Sequence, residues 1–336
     1  MAVSGLRNTH QLLAMRQQRS ESASRPRHRP TSARPERGGG ARVGSSHSRG
    51  AALLLVMWLI ALLAALVGGF ALTARVEYLQ GRVLARGVVA EQAARAGIEY
   101  AMMRLAEQDA RRRWLPDGRA YRWRFNQAQI DLRIVDEQGK IDLNAAPLPL
   151  LAALLRGAGL EQQPAERLAG AIIDWRDQDS MTQPSAGAED ADYAEAELPY
   201  GAKDAPFETA AELLLVLGMT PQLYARIAPS ITVFSGRDVP DPAFASAPVL
   251  TAMGMDATAI VQHRENWNPA TGQPLQPLAD GINLVGSNSG TYSIHSRAKL
   301  SDGRESLLRV VVRSGATGAP GAAYQPLQWE EGTSLR

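Results

Sequence analysis

The chain has 336 residues, 36 basic and 34 acidic side chains and no cysteine, which excludes a disulfide framework, a thiol nucleophile and a zinc–cysteine centre. A pI near 9.0 would suit a nucleic-acid or anionic-membrane partner if the charge were spread evenly. It is not: residues 1–50 hold ten arginines against Glu21 and Glu36, a segment charge of +8, so the rest of the chain carries −6 of the overall +2.

This leader is rich in Ser, Pro, Gly and Arg, as in Arg25-Pro26-Arg27-His28-Arg29-Pro30. It lacks the apolar side chains that would offset the entropy of ordering it, and is expected to be disordered. From Gly50 to Ala74 no residue is charged. As a helix rising 1.5 Å per residue this stretch reaches roughly 37 Å, enough to cross a hydrocarbon core of about 30 Å. The arginine excess before it predicts a cytoplasmic N-terminus by the positive-inside rule, and a periplasmic location for everything beyond about residue 75. Apolar or small residues then recur at Val76, Leu79, Val83, Ala90, Ala94, Ile98, Ala101 and Leu105, against a polar face of Arg82, Arg86, Glu91, Arg95, Glu99 and Arg104. That spacing predicts one helix from about 52 to 110, weakened locally by Gly81, Gly87 and Gly97.

The junction Arg49-Gly50, followed by Ala51-Ala52-Leu53-Leu54-Leu55-Val56 and a long amphipathic helix, resembles the leader and stem of type IV pilin-like proteins. The resemblance implies cleavage after Gly50 by a prepilin peptidase and N-methylation of the new terminus, Ala51. Most such proteins have glutamate at the fifth position after the cut, where Leu55 stands here. A carboxylate deep in lipid is costly unless paired, and in the family it is thought to meet the N-terminal amine of the neighbouring subunit nearer the tip. A subunit with nothing above it has no amine to meet. The missing glutamate is typical of the K-type minor pseudopilin of type II secretion.

Strand-like alternation follows over 120–143: Tyr121, Trp123 and Phe125, then Ile130, Leu132 and Ile134, a turn at Glu137-Gln138-Gly139-Lys140, and Ile141 with Leu143. A second β region covers Thr291–Lys299, the turn Ser301-Asp302-Gly303-Arg304, and Leu307–Val312. The Asp-Gly pairs at 117–118, 280–281 and 302–303 read as turns. The expected fold is α+β: a pilin-like long N-terminal transmembrane helix packed on an antiparallel sheet, with a large inserted all-helical domain. The expected divisions are a leader at 1–50, a transmembrane helix at 51–74, a periplasmic stem at 75–115, a β domain formed by 116–143 and 231–315 with a small helical segment, the insertion at 144–230, and a tail at 316–336.

Three segments resemble helix-hairpin-helix units, turning at Gly159-Leu160, Gly218-Met219 and Gly254-Met255. Such units often bind DNA phosphates through turn amides with basic residues close behind. Here Glu161-Gln162-Gln163, Thr220-Pro221-Gln222 and Asp256 follow, so a packing role is expected and no nucleic-acid partner. A membrane-tethered helix-hairpin-helix protein for DNA binding or uptake is the alternative function, and it would require basic turns.

Between 174 and 212 stand eleven acids against Arg176 and Lys203. Asp174, Asp177 and Asp179 are spaced like oxygen ligands at a helix end and the turn after it, and Glu189-Asp190 follows a glycine-containing bend. Oxygen donors with no His or Cys nearby suit calcium. The run Asp174-Trp175-Arg176-Asp177-Gln178-Asp179, with Gly187-Ala188-Glu189-Asp190, Tyr193, Pro199-Tyr200, Pro206-Phe207 and Glu212-Leu213, looks like the signature of the K-type insertion. That resemblance implies structural calcium, with Asp174, Asp177, Asp179, Glu189, Asp190 and Asp204 as candidate ligands, although Lys203-Asp204 stands where an asparagine is common. No nucleophile elbow, P-loop or His-Glu-x-x-His motif occurs; His263 and His295 read as structural or exposed, and no enzymatic activity is expected. The family resemblance further implies a single-pass inner-membrane protein at the tip of a pseudopilus. Its implied partners are I-type and J-type minor pseudopilins, the major pseudopilin, the secretin and secreted substrates.

Overall fold

A computed structural model describes residues 48–183, 187–278, 281, 284, 286–315 and 323–332. The expected disorder of residues 1–47 and the expected turn at Asp280 lie outside them. Helix α1, Ser48–Leu105, is the longest element, and the chain divides into two units after Gly69. In the first unit the helix is apolar all round: Leu53, Leu54, Leu55, Met57, Trp58 and Leu63 are all more than half exposed. Leu- and Ala-rich sequence favours the helical backbone, while a helix apolar on every side needs an apolar surrounding. Among the described residues this is the one helix long and apolar enough to cross a membrane.

In the second unit the C-terminal part of α1 packs on a five-stranded antiparallel sheet, whose strands follow in the order in which they pair. The strands are β1 Asp117–Phe125, β2 Ala128–Asp136, β5 Thr291–Lys299, β6 Glu305–Ser314 and β7 Tyr324–Gly332. Period-2 alternation turns Ile130, Leu132 and Ile134 of β2, Ile294 and Ala298 of β5, and Leu308, Val310 and Val312 of β6 toward the helix, where all are buried. The helix answers with Ala90, Ala93, Ala94, Ile98, Ala101 and Leu105. Its small residues allow a close approach: Ser296 Oγ donates to the Ala94 carbonyl at 2.8 Å, and a Cβ on Gly97 would stand 2.4 Å from that same Oγ. Val76, Leu79 and Val83, expected on the apolar face, are each 51% exposed; the turn between β5 and β6 meets the helix here through polar contacts, Arg304 donating to the Val83 carbonyl and Arg86 pairing with Asp302 at 3.0 Å.

A second core gathers residues from Ile141 to Leu284. It contains α2 Leu148–Gly157, α3 Gln162–Arg176, α4 Asp190–Glu195, α5 Pro221–Ile227, α6 Ala247–Ala252 and α7 Ala257–Asn266. A two-stranded parallel pair, β3 Ile141–Asp142 with β4 Ile231–Thr232, lies among them. Packing draws the helical region's limit later than residue 230, since Ala245, Val249, Leu250 and Ile260 join the same core as Leu151 and Leu155. The C-terminal segment expected as a tail instead supplies edge strand β7. The three glycine turns form as expected, with Gly159, Gly218 and Gly254 at positive φ. Arg226 donates to the Ala158 carbonyl at 2.9 Å, so a basic residue does stand beside the first turn, brought there from α5.

Candidate metal centre

The last turn of α3 and the N-terminus of α4 bring three carboxylates together. Asp174, Asp177 and Glu189 each offer an oxygen, and these oxygens all lie within 4.8 Å of one another. Asp174 is fully buried, and its carboxylate accepts the Ala188 amide at 2.8 Å and the Gln183 amide at 3.3 Å, which folds the intervening loop back over the helix end. The fold-back needs Gly187, because a Cβ there would fall 1.9 Å from Asp174 Oδ2. Asp177 caps the C-terminus of α3, and Glu189 is the N-cap of α4, its amide donating to Asp192 Oδ2 at 2.9 Å. Trp175, Tyr193, Tyr200 and Phe207 pack beneath, with ring centroids 5.8–6.4 Å apart.

The electrostatics are those of a self-repelling acidic site. Burial pushes the Asp174 carboxyl up to about 6 against the hydrogen bonds it accepts, and the Asp177 charge adds to the rise. Burial pushes Glu189 up to about 7, reinforced by the charges of Asp174, Asp204, Asp177 and Asp190. Asp177 is raised by burial and by Asp179 and Asp204. The cations of the segment relieve this only in part, the Arg176 charge lowering Asp177 against its burial. Arg176 donates to the carbonyls of Leu143 and Ala146, and Lys203 reaches Glu212 at 2.7 Å and the Pro206 carbonyl at 3.0 Å. Asp177 Oδ1 and Glu189 Oε1 are buried without a hydrogen-bond partner among the described residues. Buried, unpaired carboxylate oxygens with no histidine or cysteine suit a hard divalent cation.

Of the six candidate ligands, Asp174, Asp177 and Glu189 converge. Asp204 acts on Asp177 and Glu189 through its charge, and its backbone is held at a φ of 52°. Asp179 accepts the Met181 amide at 2.9 Å, and Asp190 accepts the Ala202 amide at 3.1 Å where Gly201 lets the chain approach. Four buried polar residues with far-reaching partners, Asp142, Arg264, Asp136 and Glu137, leave no sign in the sequence. Asp142 accepts from Asn144, Ser235 and Gly236, and Arg264 donates to the Pro242, Ala243 and Ala245 carbonyls. Asp136 accepts from Ser289 while Glu137 pairs with Lys140 at 2.7 Å. A lone Asp or Arg in a sequence gives no sign of such partners. His263 binds the Gln276 carbonyl at 2.7 Å, and His295 sits half-buried in β5, where burial and the charges of Lys140, Arg309 and Arg133 push it down to about 4.

A long N-terminal helix laid on an antiparallel sheet, with a helical region inserted between β2 and β5, defines a pilin-like protein with an inserted helical domain, the fold class expected from the sequence. Residues 124–236 match the family described as Type II secretion system (T2SS), protein K. The Type II secretion system protein K of Aeromonas hydrophila is 36% identical over 109 residues, covering 32% of this chain and 33% of the relative. That of Klebsiella pneumoniae is 29% identical over 205 residues, covering 54% of this chain and 62% of the relative. The match thus spans about a third of the first relative's length and three fifths of the second's. A chain of the crystal structure of the GspK-GspI-GspJ complex from the enterotoxigenic Escherichia coli Type 2 Secretion System superposes with a TM-score of 0.55 at 20% identity, covering 76% of this chain and all of that one. At that identity the likeness speaks for the fold. Over these stretches the chain is similar to type II secretion system protein K, in line with the resemblance read from the acidic signature, which lies within the matched residues.

Proposed function

We propose that this chain is the K-type minor pseudopilin of a type II secretion system, acting at the tip of the pseudopilus to start its assembly and support export of folded proteins. The observation that carries the reading is the combination of an N-terminal helix with exposed apolar sides and a pilin-like sheet interrupted by a helical region. Residues 51–74 anchor the chain in the inner membrane with the N-terminus in the cytoplasm, and a prepilin peptidase cuts after Gly50 to release Ala51 for methylation. The apolar side chains of Val76, Leu79, Val83 and Val88, which the chain's own sheet leaves exposed, offer stem-to-stem packing to I-type and J-type minor pseudopilins. The inserted helical region is too bulky for the interior of a packed filament and fits at its end.

Asp174, Asp177 and Glu189 would hold a calcium ion, with Asp179, Asp190 and Asp204 adding negative potential around it. Bound calcium supplies charge neutralisation, locking the loop after α3 against α4 in a chain that has no disulfide to do so. The test of the assembly role is co-expression with I-type and J-type minor pseudopilins, followed by purification through a tag on this chain. A stoichiometric ternary complex is expected. Recovery of this chain alone at every detergent and salt condition would overturn the proposal.

A further inference from the structure

The sheet ends on β1, whose Tyr121–Phe125 stretch pairs with β2 on one side only. Among the described residues, no backbone hydrogen bond from outside the sheet reaches that stretch. Proteins blunt open edges with proline, bulges, covering loops or charged side chains, and the last of these guards against self-pairing while leaving the edge open to a segment of opposite charge. The opposite edge follows this rule: β7 carries Pro326 and a register shift opposite Val311 and Val312. On β1 the shift lies between Asp117 and Ala120, where Arg119 also donates to the Arg264 and Trp267 carbonyls. From Tyr121 onward the register is regular and the outer edge has no backbone partner among the described residues.

Its side chains alternate in character. Tyr121 and Trp123 lie on the face that packs toward α1, and Phe125 ends that row 39% exposed. Arg122 and Arg124 stand on the other face, both exposed. Arg122 has only a loose partner, Asp131 at 3.4 Å, with its own side chain 82% exposed, and Arg124 lies opposite Gln129. One row along, Arg133 and Arg309 flank His295 across the strands, and neither forms an ion pair among the described residues. Asp131 lies beside Arg122 and Glu330 lies opposite Arg309 on this face, so the excess positive charge at the edge itself rests on Arg122 and Arg124. A second copy of β1 would set like charges opposite one another, which disfavours self-pairing.

We propose that the Tyr121–Phe125 edge receives an extended segment of a partner protein in which acidic and apolar residues alternate. It adds a sixth strand by backbone pairing, its carboxylates beside Arg122 and Arg124 and its apolar side chains beside Trp123 and Phe125. Backbone pairing supplies affinity, and the alternation supplies specificity. The sheet edge carries this inference independently of the secretion role.

The test uses the full chain in neutral detergent and a fluorescent decapeptide of alternating Glu and Val, with binding read by anisotropy at pH 7.5. Binding is expected, weakening at least tenfold in the Arg122→Glu/Arg124→Glu variant and at least tenfold when alternate peptide amides are N-methylated. An alternating Lys–Val peptide should bind the reversed variant and not the parent, which separates lost recognition from lost folding. Equal binding of the Glu–Val and Lys–Val peptides to the parent would overturn the proposal, as would indifference to N-methylation. Displacement of the peptide by phosphatidylglycerol vesicles as effectively as by unlabelled peptide would make the face a general polyanion patch and overturn it too. So would self-association without peptide that the reversed variant abolishes.

Discussion

The acidic centre predicts that the stabilisation conferred by calcium depends steeply on pH. In the ion-free fold the carboxyls of Asp174 and Glu189 are raised to about 6 and about 7. A raised carboxyl stabilises the fold fully below its unfolded value and loses that contribution as pH climbs through the folded one. The chelated protein is therefore deprived of this contribution between about pH 5 and 8. Calcium needs both carboxylates ionised, so it restores what rising pH removes. At pH 5 binding must strip a proton held about two units too tightly from Glu189 and one held about one unit too tightly from Asp174. Counting Glu189 alone gives a factor of about 10², and counting both gives about 10³, or roughly 3 to 4 kcal/mol of lost stabilisation at saturating calcium. At roughly 2–4 °C per kcal/mol, the calcium-minus-chelator difference in melting midpoint should be about 6–16 °C larger at pH 8 than at pH 5. Thermal melting of the detergent-solubilised chain at both pH values, with calcium and with chelator, measures it. His295 titrates in the same range with opposite sign, but its contribution cancels in the difference. A difference that is absent at pH 8, or larger at pH 5, would show that these carboxylates do not hold calcium.

Gly187→Ala forces a Cβ to within 1.9 Å of Asp174 Oδ2, so it should cost about 1–3 kcal/mol in urea unfolding and abolish calcium binding by calorimetry. Gly97→Ala meets Ser296 Oγ at 2.4 Å and Ile130 Cγ2 at 2.9 Å; overpacking of about 1–3 kcal/mol should outweigh the gain of up to about 1 kcal/mol in helix propensity. Gly87→Ala meets nothing within 4 Å and should stabilise by up to about 1 kcal/mol in the same assay. His295, depressed from 6.5 to about 4, favours the fold while neutral, so stability should fall as pH drops from about 6.5 toward 4. His295→Gln should remove a slope worth on the order of 3 kcal/mol, measured by urea unfolding in the presence of chelator across that range.

The long elements were legible because their periodicity is strong. The 3.6-residue spacing of Ala90, Ala94, Ile98, Ala101 and Leu105 marks the buried face of α1, and Ile130, Leu132 and Ile134 mark the buried face of β2. Strand β7 escaped because it is an edge: Gln325, Pro326, Glu330 and Glu331 are exposed, so its alternation carries almost no hydrophobic signal. Strands β3 and β4 pair over two residues each across a long sequence separation, which no local pattern reveals. In the acidic centre, Asp174 and Asp177 could be placed together by helical spacing alone. The arrival of Glu189 depends on a loop fold-back permitted by Gly187, a tertiary event. The same reason hid Asp142 and Arg264, whose partners lie far along the chain.

On the proposed function, residues 1–50 are removed to leave a pilin-like anchor beginning at Ala51. Mass spectrometry of the N-terminal peptide from protein extracted from membranes of cells expressing the prepilin peptidase tests it most directly. A peptide starting at N-methylated Ala51 is expected. An intact leader, or cleavage beyond the apolar run after Ala74, would contradict it.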